Sequence, residues 1–313
     1  MLTYILRRVL ATIPVMAIVA FLVFSLLYIA PGDPAAVLAG EQASPEDVEK
    51  MRKSLGLDRP FLVRFVEWSA QILQGNFGTS LFTGLPVTTM IGQRIGPTLS
   101  LMIVTLVLAV LIAVPMGVIA AWKAGTLLDR VLMAFAVVGF SVPVFVVGYL
   151  LAFYLGVEWD WLPVQGYREL SEGFWPWLQH LTLPAIALGF VYMALIARIT
   201  RATMLEVLSQ DYVRTARAKG VGQASILFLH ALKNAAVPIV TVIGIGIAFL
   251  IGGAVVTESV FAIPGLGRLT IDSISRRDYP TIQGIVLLFS FIYVLVNLAI
   301  DIIYTLLDPR IRY

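Results

Sequence analysis

The chain has 313 residues, of which 59% are hydrophobic and only 13% charged, with a mean hydropathy of +0.91. Those proportions exclude an ordinary soluble domain and describe a protein that faces lipid. There is no cysteine, which removes disulfides, thiolate nucleophiles and Cys-held metals, and the two histidines, His180 and His230, are too far apart in sequence to suggest a metal centre.

Six apolar segments follow in chain order at 9–30, 98–122, 132–156, 181–200, 237–258 and 283–307. Each is near the roughly 20 residues needed to cross about 30 Å of hydrocarbon. The first begins after Arg7 and Arg8; it exceeds the h-region of a signal peptide and lacks a small-x-small cleavage site before Pro31, so it is expected to persist as a span. The pattern predicts an all-α integral membrane protein with six transmembrane helices. It divides into an N-terminal helix (1–30), a long outer loop (31–97) and a five-span core (98–313) that contains an inner loop at 201–236.

The outer loop carries local structure of its own. Ser44-Pro45-Glu46-Asp47 predicts a helix start, with Ser44 as cap and Pro45 in the first turn, and Val48, Met51 and Leu55 form one apolar stripe before Gly56. A second helix places Phe61, Phe65, Trp68 and Ile72 on one face. Two amphipathic helices of this kind either dock a partner or lie at the headgroups. Between the fifth and sixth spans, Pro264-Gly265-Leu266-Gly267 predicts turns and not a regular helix.

Counting cations sets the orientation. With the N-terminus inside, the inner pieces hold Arg7, Arg8, Lys123, Arg130, Arg198, Arg201, Arg214, Arg217, Lys219, Lys233, Arg310 and Arg312, against Asp129, Glu206, Asp211 and Asp308. This asymmetry predicts both termini in the cytoplasm. All six tryptophans fall in loops or at span ends, where an amphipathic indole is most stable.

The inner loop is the most informative stretch. Ser209 or Asp211 can cap a short helix through Lys219, Gly220 can end it in a left-handed conformation, and Gln223 or Ser225 can open a second helix to Asn234. Tyr212, Thr215 and Ala216 group on one side of the first helix and Arg214 and Arg217 on another, a small ridge flanked by positive charge that suits a groove. The plainer reading is a loop whose cations enforce topology and bind anionic lipid. No phosphate-binding loop, Gly-x-Ser-x-Gly elbow or His-Glu-x-x-His is present, so nucleotide hydrolysis and the commoner membrane hydrolases find no support. The basic patches lack the interleaved aromatics that would argue for nucleic acid.

From end to end the chain resembles the permease subunits of ATP-binding-cassette importers, specifically the dipeptide, oligopeptide and nickel group, and within it the first of the two permeases. The resemblance rests on DYVRTARAKG followed by HALKNA in the inner loop, with Gly220 on the glycine of the importer consensus and Arg214, Thr215 and Ala216 on its leading triplet. Leu6-Arg7-Arg8, Pro31-Gly32-Asp33-Pro34, Leu55-Gly56-Leu57-Asp58, Pro264-Gly265-Leu266-Gly267, Arg277-Asp278-Tyr279-Pro280 and Asp308-Pro309-Arg310-Ile311-Arg312 add to it in order. It implies a bacterial inner-membrane protein that is not itself an enzyme. Its implied partners are a second permease, two ATPase subunits holding the ATP and magnesium, and a periplasmic solute-binding protein. It implies import of a di- or oligopeptide by alternating access, with nickel chelates or glutathione as rival solutes. Asp211, Tyr212, Arg214, Thr215, Ala216, Arg217, Ala218, Lys219 and Gly220 would form the coupling helix seated in an ATPase. A stand-alone secondary transporter, the reading from another class, needs intramembrane acids and repeated halves. The chain offers one such acid, Asp301, and no obvious repeat.

Two features within the spans remain. Gly244, Ala248 and Gly252 recur every four residues, a stripe expected to pack against the second permease near the pathway, with substrate contact the other reading, so Gly252→Leu is expected to harm assembly or transport more than Gly253→Leu. Asp301, one turn after Asn297, is expected to find an ion-pair partner in Arg198 or Arg201, with a substrate or proton role the other reading.

Overall fold

The computed structural model describes residues 2–29, 33–39, 43–54 and 56–307. Pro31-Gly32, Leu55 and the Asp308–Arg312 ending of the resemblance lie outside the described residues. The described chain forms helices α1 (Leu2–Ile29), α2 (Pro34–Ala39), α3 (Pro45–Ser54), α4 (Phe61–Leu73), α5 (Val87–Trp122), α6 (Leu127–Ser141), α7 (Val144–Leu151), α8 (Phe174–Leu208), α9 (Asp211–Ala218), α10 (Gln223–Ser225), α11 (Leu232–Val260), α12 (Leu266–Ser275) and α13 (Tyr279–Leu307). They fall into two units, residues 1–94 with 269–294, and residues 95–268 with 295–313.

In the first unit the outer-loop helices form where the local signals place them. Ser44 Oγ accepts the Asp47 N–H at 3.2 Å and donates to its carboxylate at 2.7 Å, and the turn after α3 closes with Leu57 N–H on the Arg52 carbonyl at 2.9 Å. The aromatic face of α4 neither awaits a partner nor lies free at a surface. Phe61, Phe65 and Trp68 pack on Phe21, Phe24 and Tyr28 of α1, with ring centroids 5.0–5.6 Å apart. Arg64 lies over Phe24 and Tyr28 and donates to the Tyr28 hydroxyl. Burying aromatic faces in pairs removes apolar area from water and adds ring-edge attraction, which is why the amphipathic helix folds back onto its own chain. Ser80 Oγ, Thr281 Oγ1 and the Leu81 N–H all donate to Asp278, at 2.5, 2.7 and 3.0 Å, and pin two loops together.

The second unit is built around α8, whose Leu181, Leu183, Leu188, Tyr192, Ile196 and Ala197 are buried among residues of α5, α7 and α11. Several expected boundaries move. The helix of the second span begins at Val87, well before residue 98, and carries Gly96 and Pro97 within it. The third apolar segment is two helices, α6 and α7, bent by 106° across Val142 and Pro143, and α7 runs on as a π-helix to Glu158. Proline lacks the N–H that would continue α6 and disfavours helical geometry in the residue before it. The helix expected from Gln223 to Asn234 does not stop there: α10, a π-helical turn at Ile226–Ala231 and α11 make one 38-residue run from Gln223 to Val260. The Pro264–Gly267 segment also differs from expectation, since α12 starts at Leu266.

Candidate coupling site

α9 begins at Asp211, with Gln210 in the capping position. Neither Ser209 nor Asp211 caps it, because the Ser209 hydroxyl is bonded back to the Glu206 carbonyl at 2.7 Å. The Asp211 carboxylate instead sits in the first turn, where the helix dipole favours negative charge, and lies a loose 3.5 Å from Arg214. At the other end Gly220 takes φ +77°, and the Val221 N–H reaches the Ala216 carbonyl at 3.1 Å, so the helix terminates in a Schellman turn.

One side of α9 is held by its own chain. Val213 is fully buried, Ala216 one turn on is half-buried, and the helix packs on the π-helical turn, whose Ile226, Leu227 and Ala231 are buried. Ala216 is therefore partly covered by its own chain. The exposed surface consists of Asp211, Tyr212, Arg214, Thr215, Arg217, Ala218, Lys219 and Gly220. A short helix clipped at one valine to the base of a long helix can pass motion to it as a rigid piece, because packed interiors transmit displacement.

α8 leads into α9, and its lower end is fixed by a pair that sequence reading missed. Arg201 Nε and Nη2 donate to Asp129 at 2.5 and 2.8 Å, the Asp129 side chain is 5% exposed, and the Gly125 N–H adds a bond at 2.9 Å. The available signal was Thr126-Leu127-Leu128-Asp129, a capping sequence at the start of α6. Neither arginine expected for Asp301 is its partner: Arg201 is taken by Asp129, and the Arg198 guanidinium lies over the Phe140 ring. The reason is geometric, since α6 packs against α8 and Asp129 lies in its first turn.

A second missed group is Glu258, fully buried near the end of α11. Thr98 Oγ1 donates to its carboxylate at 2.6 Å and accepts the Leu266 N–H at 2.8 Å, while the Arg268 N–H donates to the other carboxylate oxygen at 3.0 Å. A Cβ on Gly265 would stand 2.3 Å from that carboxylate, which explains the glycine. The Gly244, Ala248, Gly252 stripe does not act as one surface. Gly244 is buried with Ile300 against it, Ala248 is half-buried and Gly252 is exposed with nothing within 4 Å, whereas a Cβ on Gly253 would stand 2.5 Å from Leu188.

Residues 113–313 match the family described as the binding-protein-dependent transport system inner membrane component, and residues 1–102 match its N-terminal companion. The chain belongs to this family. The permease is 54% identical over 310 residues, 99% of each chain, to a probable peptide ABC transporter permease of Sinorhizobium fredii. It is 44% identical over 313 residues, all of both chains, to the glutathione transport system permease of Salmonella typhi. Its fold is similar to that of the MetNI methionine ABC transporter in an inward-facing conformation, with TM-score 0.59, 18% identity, and coverage of 70% of this chain and 96% of that one. The permease is thus an all-α, multi-pass membrane subunit of an ABC importer. Among the described residues five helices are long and apolar enough to cross a membrane, and there are six where the bent pair α6 and α7 counts as one span.

Proposed function

We propose that this permease carries small peptides from the periplasm to the cytoplasm across a bacterial inner membrane, with both termini inside. The identity to permeases named for peptide and for glutathione, itself a short peptide, along the whole chain is the observation that carries the substrate class. The partners are a second permease, two ATPase subunits that hold ATP and magnesium, and a solute-binding protein. The chain itself holds no cofactor. The exposed face of α9 is the seat for an ATPase, and closure of the ATPase pair moves α9 and, through Val213, the base of α11.

The test is reconstitution. The purified subunit alone is expected neither to bind nor to hydrolyse ATP, whereas the assembled complex hydrolyses it faster when peptide-loaded binding protein is added. ATP turnover by the lone subunit, or an assembled complex indifferent to loaded binding protein, would end this reading.

The structure changes what is expected of the glycine stripe. Gly253→Leu forces a side chain onto buried Leu188 and is expected to lower the stability of the chain itself by about 1–3 kcal/mol. Gly252→Leu is expected to leave the isolated chain as stable as wild type and to reduce recovery of the second permease in co-purification, since Gly252 and exposed Ile245, Phe249 and Val256 make an apolar face on α11. Thermal unfolding in detergent and the subunit ratio separate the two effects. Full recovery of the second permease with Gly252→Leu would show that the contact lies elsewhere.

A further inference from the structure

At its lower end α6 is joined to α8 by charge and not by apolar packing. Asp129 is buried, and among the described residues no other residue of α6 before Ala136 is; Leu127, Leu128 and Val131 are exposed. Arg201 of α8 meets the carboxylate with two N–H groups, Nε at 2.5 Å and Nη2 at 2.8 Å. The Gly125 N–H adds a third bond at 2.9 Å, and Thr126 caps the helix start. The turn before α6 is itself closed, with the Thr126 hydroxyl on the Lys123 carbonyl at 2.6 Å. This turn, the first residues of α6 and Arg201 are thereby held in one fixed geometry.

α8 is in turn joined stiffly to α9. Only Ser209 and Gln210 separate the two helices. The Ser209 and Gln210 N–H groups reach the Glu206 and Val207 carbonyls at 3.3 and 3.2 Å, and the Gln210 carbonyl accepts the Val213 N–H at 3.1 Å. Hydrogen bonds therefore run unbroken from α8 through the link into α9. On its other side α8 meets α5 almost backbone to backbone, since a Cβ on Gly117 would stand 2.6 Å from the Ala197 carbonyl oxygen and 2.6 Å from Thr200 Cβ. Packing that close leaves the end of α8 little freedom to bend by itself, so a push on α9 displaces it as a piece.

Stability alone does not account for the pair. Two apolar side chains of similar size would hold the helices together as well as an ion pair that must first be desolvated. What a bidentate guanidinium–carboxylate bond adds is direction, because its planar fork fixes orientation as well as distance, whereas apolar contact does not. We propose that Arg201 and Asp129 are positioning residues of the transport cycle, making α6 follow α8 so that each displacement of α9 reaches the lower end of the bent third segment. This role rests on α9 being the seat of an ATPase.

The test uses the complete importer in proteoliposomes. Because this chain has no cysteine, Ala124→Cys and Glu206→Cys place nitroxides at two exposed positions, one on each side of the pair. Their separation is expected to be the same in the ATP-free complex and in the complex trapped with ATP and vanadate. Asp129→Asn combined with Arg201→Met keeps an acceptor for the Gly125 N–H and leaves no charge unpaired, so the double variant is expected to assemble with wild-type recovery. In it the separation should change on trapping, and stimulation of ATP hydrolysis by peptide-loaded binding protein should fall about tenfold, a size usual for coupling between sites. Cysteines at Thr215 and Ala218 should still cross-link to an ATPase subunit, since the seat itself is untouched. Wild-type stimulation in the assembled double variant overturns the proposal. So does a separation that already changes on trapping with the pair intact, a measurement that decides the matter if the double variant fails to assemble. An otherwise wild-type complex with no cross-link from 215 or 218 sinks the ATPase seat and this role together, whereas intact cross-links with unaltered stimulation in the double variant sink the role of the pair alone.

Discussion

Gly265→Ala is expected to lower the stability of this permease by about 3–5 kcal/mol, the range for disrupting a buried charged network. The added methyl would stand 2.3 Å from the carboxylate of fully buried Glu258, which ties Thr98 of α5 to the first N–H groups of α12. Either the carboxylate moves and leaves those donors unpaired, or the turn opens; both outcomes uncover polar groups inside an apolar interior. Glu258→Leu is expected to have a comparable effect by removing the acceptor, and Glu258→Gln, which keeps shape and one carbonyl oxygen, a smaller one. Gly252→Ala, with open space around it, serves as the neutral control. Membrane abundance and thermal unfolding in detergent check this, and equal stability of Gly265→Ala and Gly252→Ala would rule out the structural role assigned to Glu258.

The second large effect is expected at the turn after α9. Gly220→Val places a β-branched residue at φ +77°, costing about 1–3 kcal/mol, enough to unwind the last turn of an eight-residue helix. Nothing lies within 4 Å of the new Cβ, so the chain should insert and accumulate normally. Peptide uptake and binding-protein-stimulated ATP hydrolysis should fall together, by about tenfold for a loss near 1.4 kcal/mol in the coupled contact. Cysteine cross-linking supplies the direct check, and the structure says where to put the probe. Thr215 and Ala218 are exposed and should cross-link to an ATPase subunit, whereas half-buried Ala216 should react weakly. Wild-type stimulation in Gly220→Val, together with no cross-link from 215 or 218, would leave α9 as a topology anchor only.

What the sequence determined by itself was everything that depends on neighbouring residues. Span number follows from local hydropathy, the start of α3 from Ser44-Pro45-Glu46-Asp47, the left-handed turn from Gly220, and the family from the inner-loop motif. Tertiary structure decided which side chains meet, because a helix period says which residues share a face and not what that face touches. Phe61, Phe65 and Trp68 were legible as a stripe, and only packing chose α1 as their cover. The Gly244, Ala248, Gly252 repeat looked like one surface, yet a Cβ on Gly244 would meet Ile300 and one on Gly252 would meet nothing within 4 Å among the described residues. Thr98 with Glu258, 160 residues apart, had no local signature at all, and for Asp129 with Arg201, 72 apart, the capping sequence at Thr126–Asp129 marked only the carboxylate and not its partner. In an apolar interior a polar group must find a partner wherever the fold brings one, so the pairs that lock these spans are set by helix packing at long range.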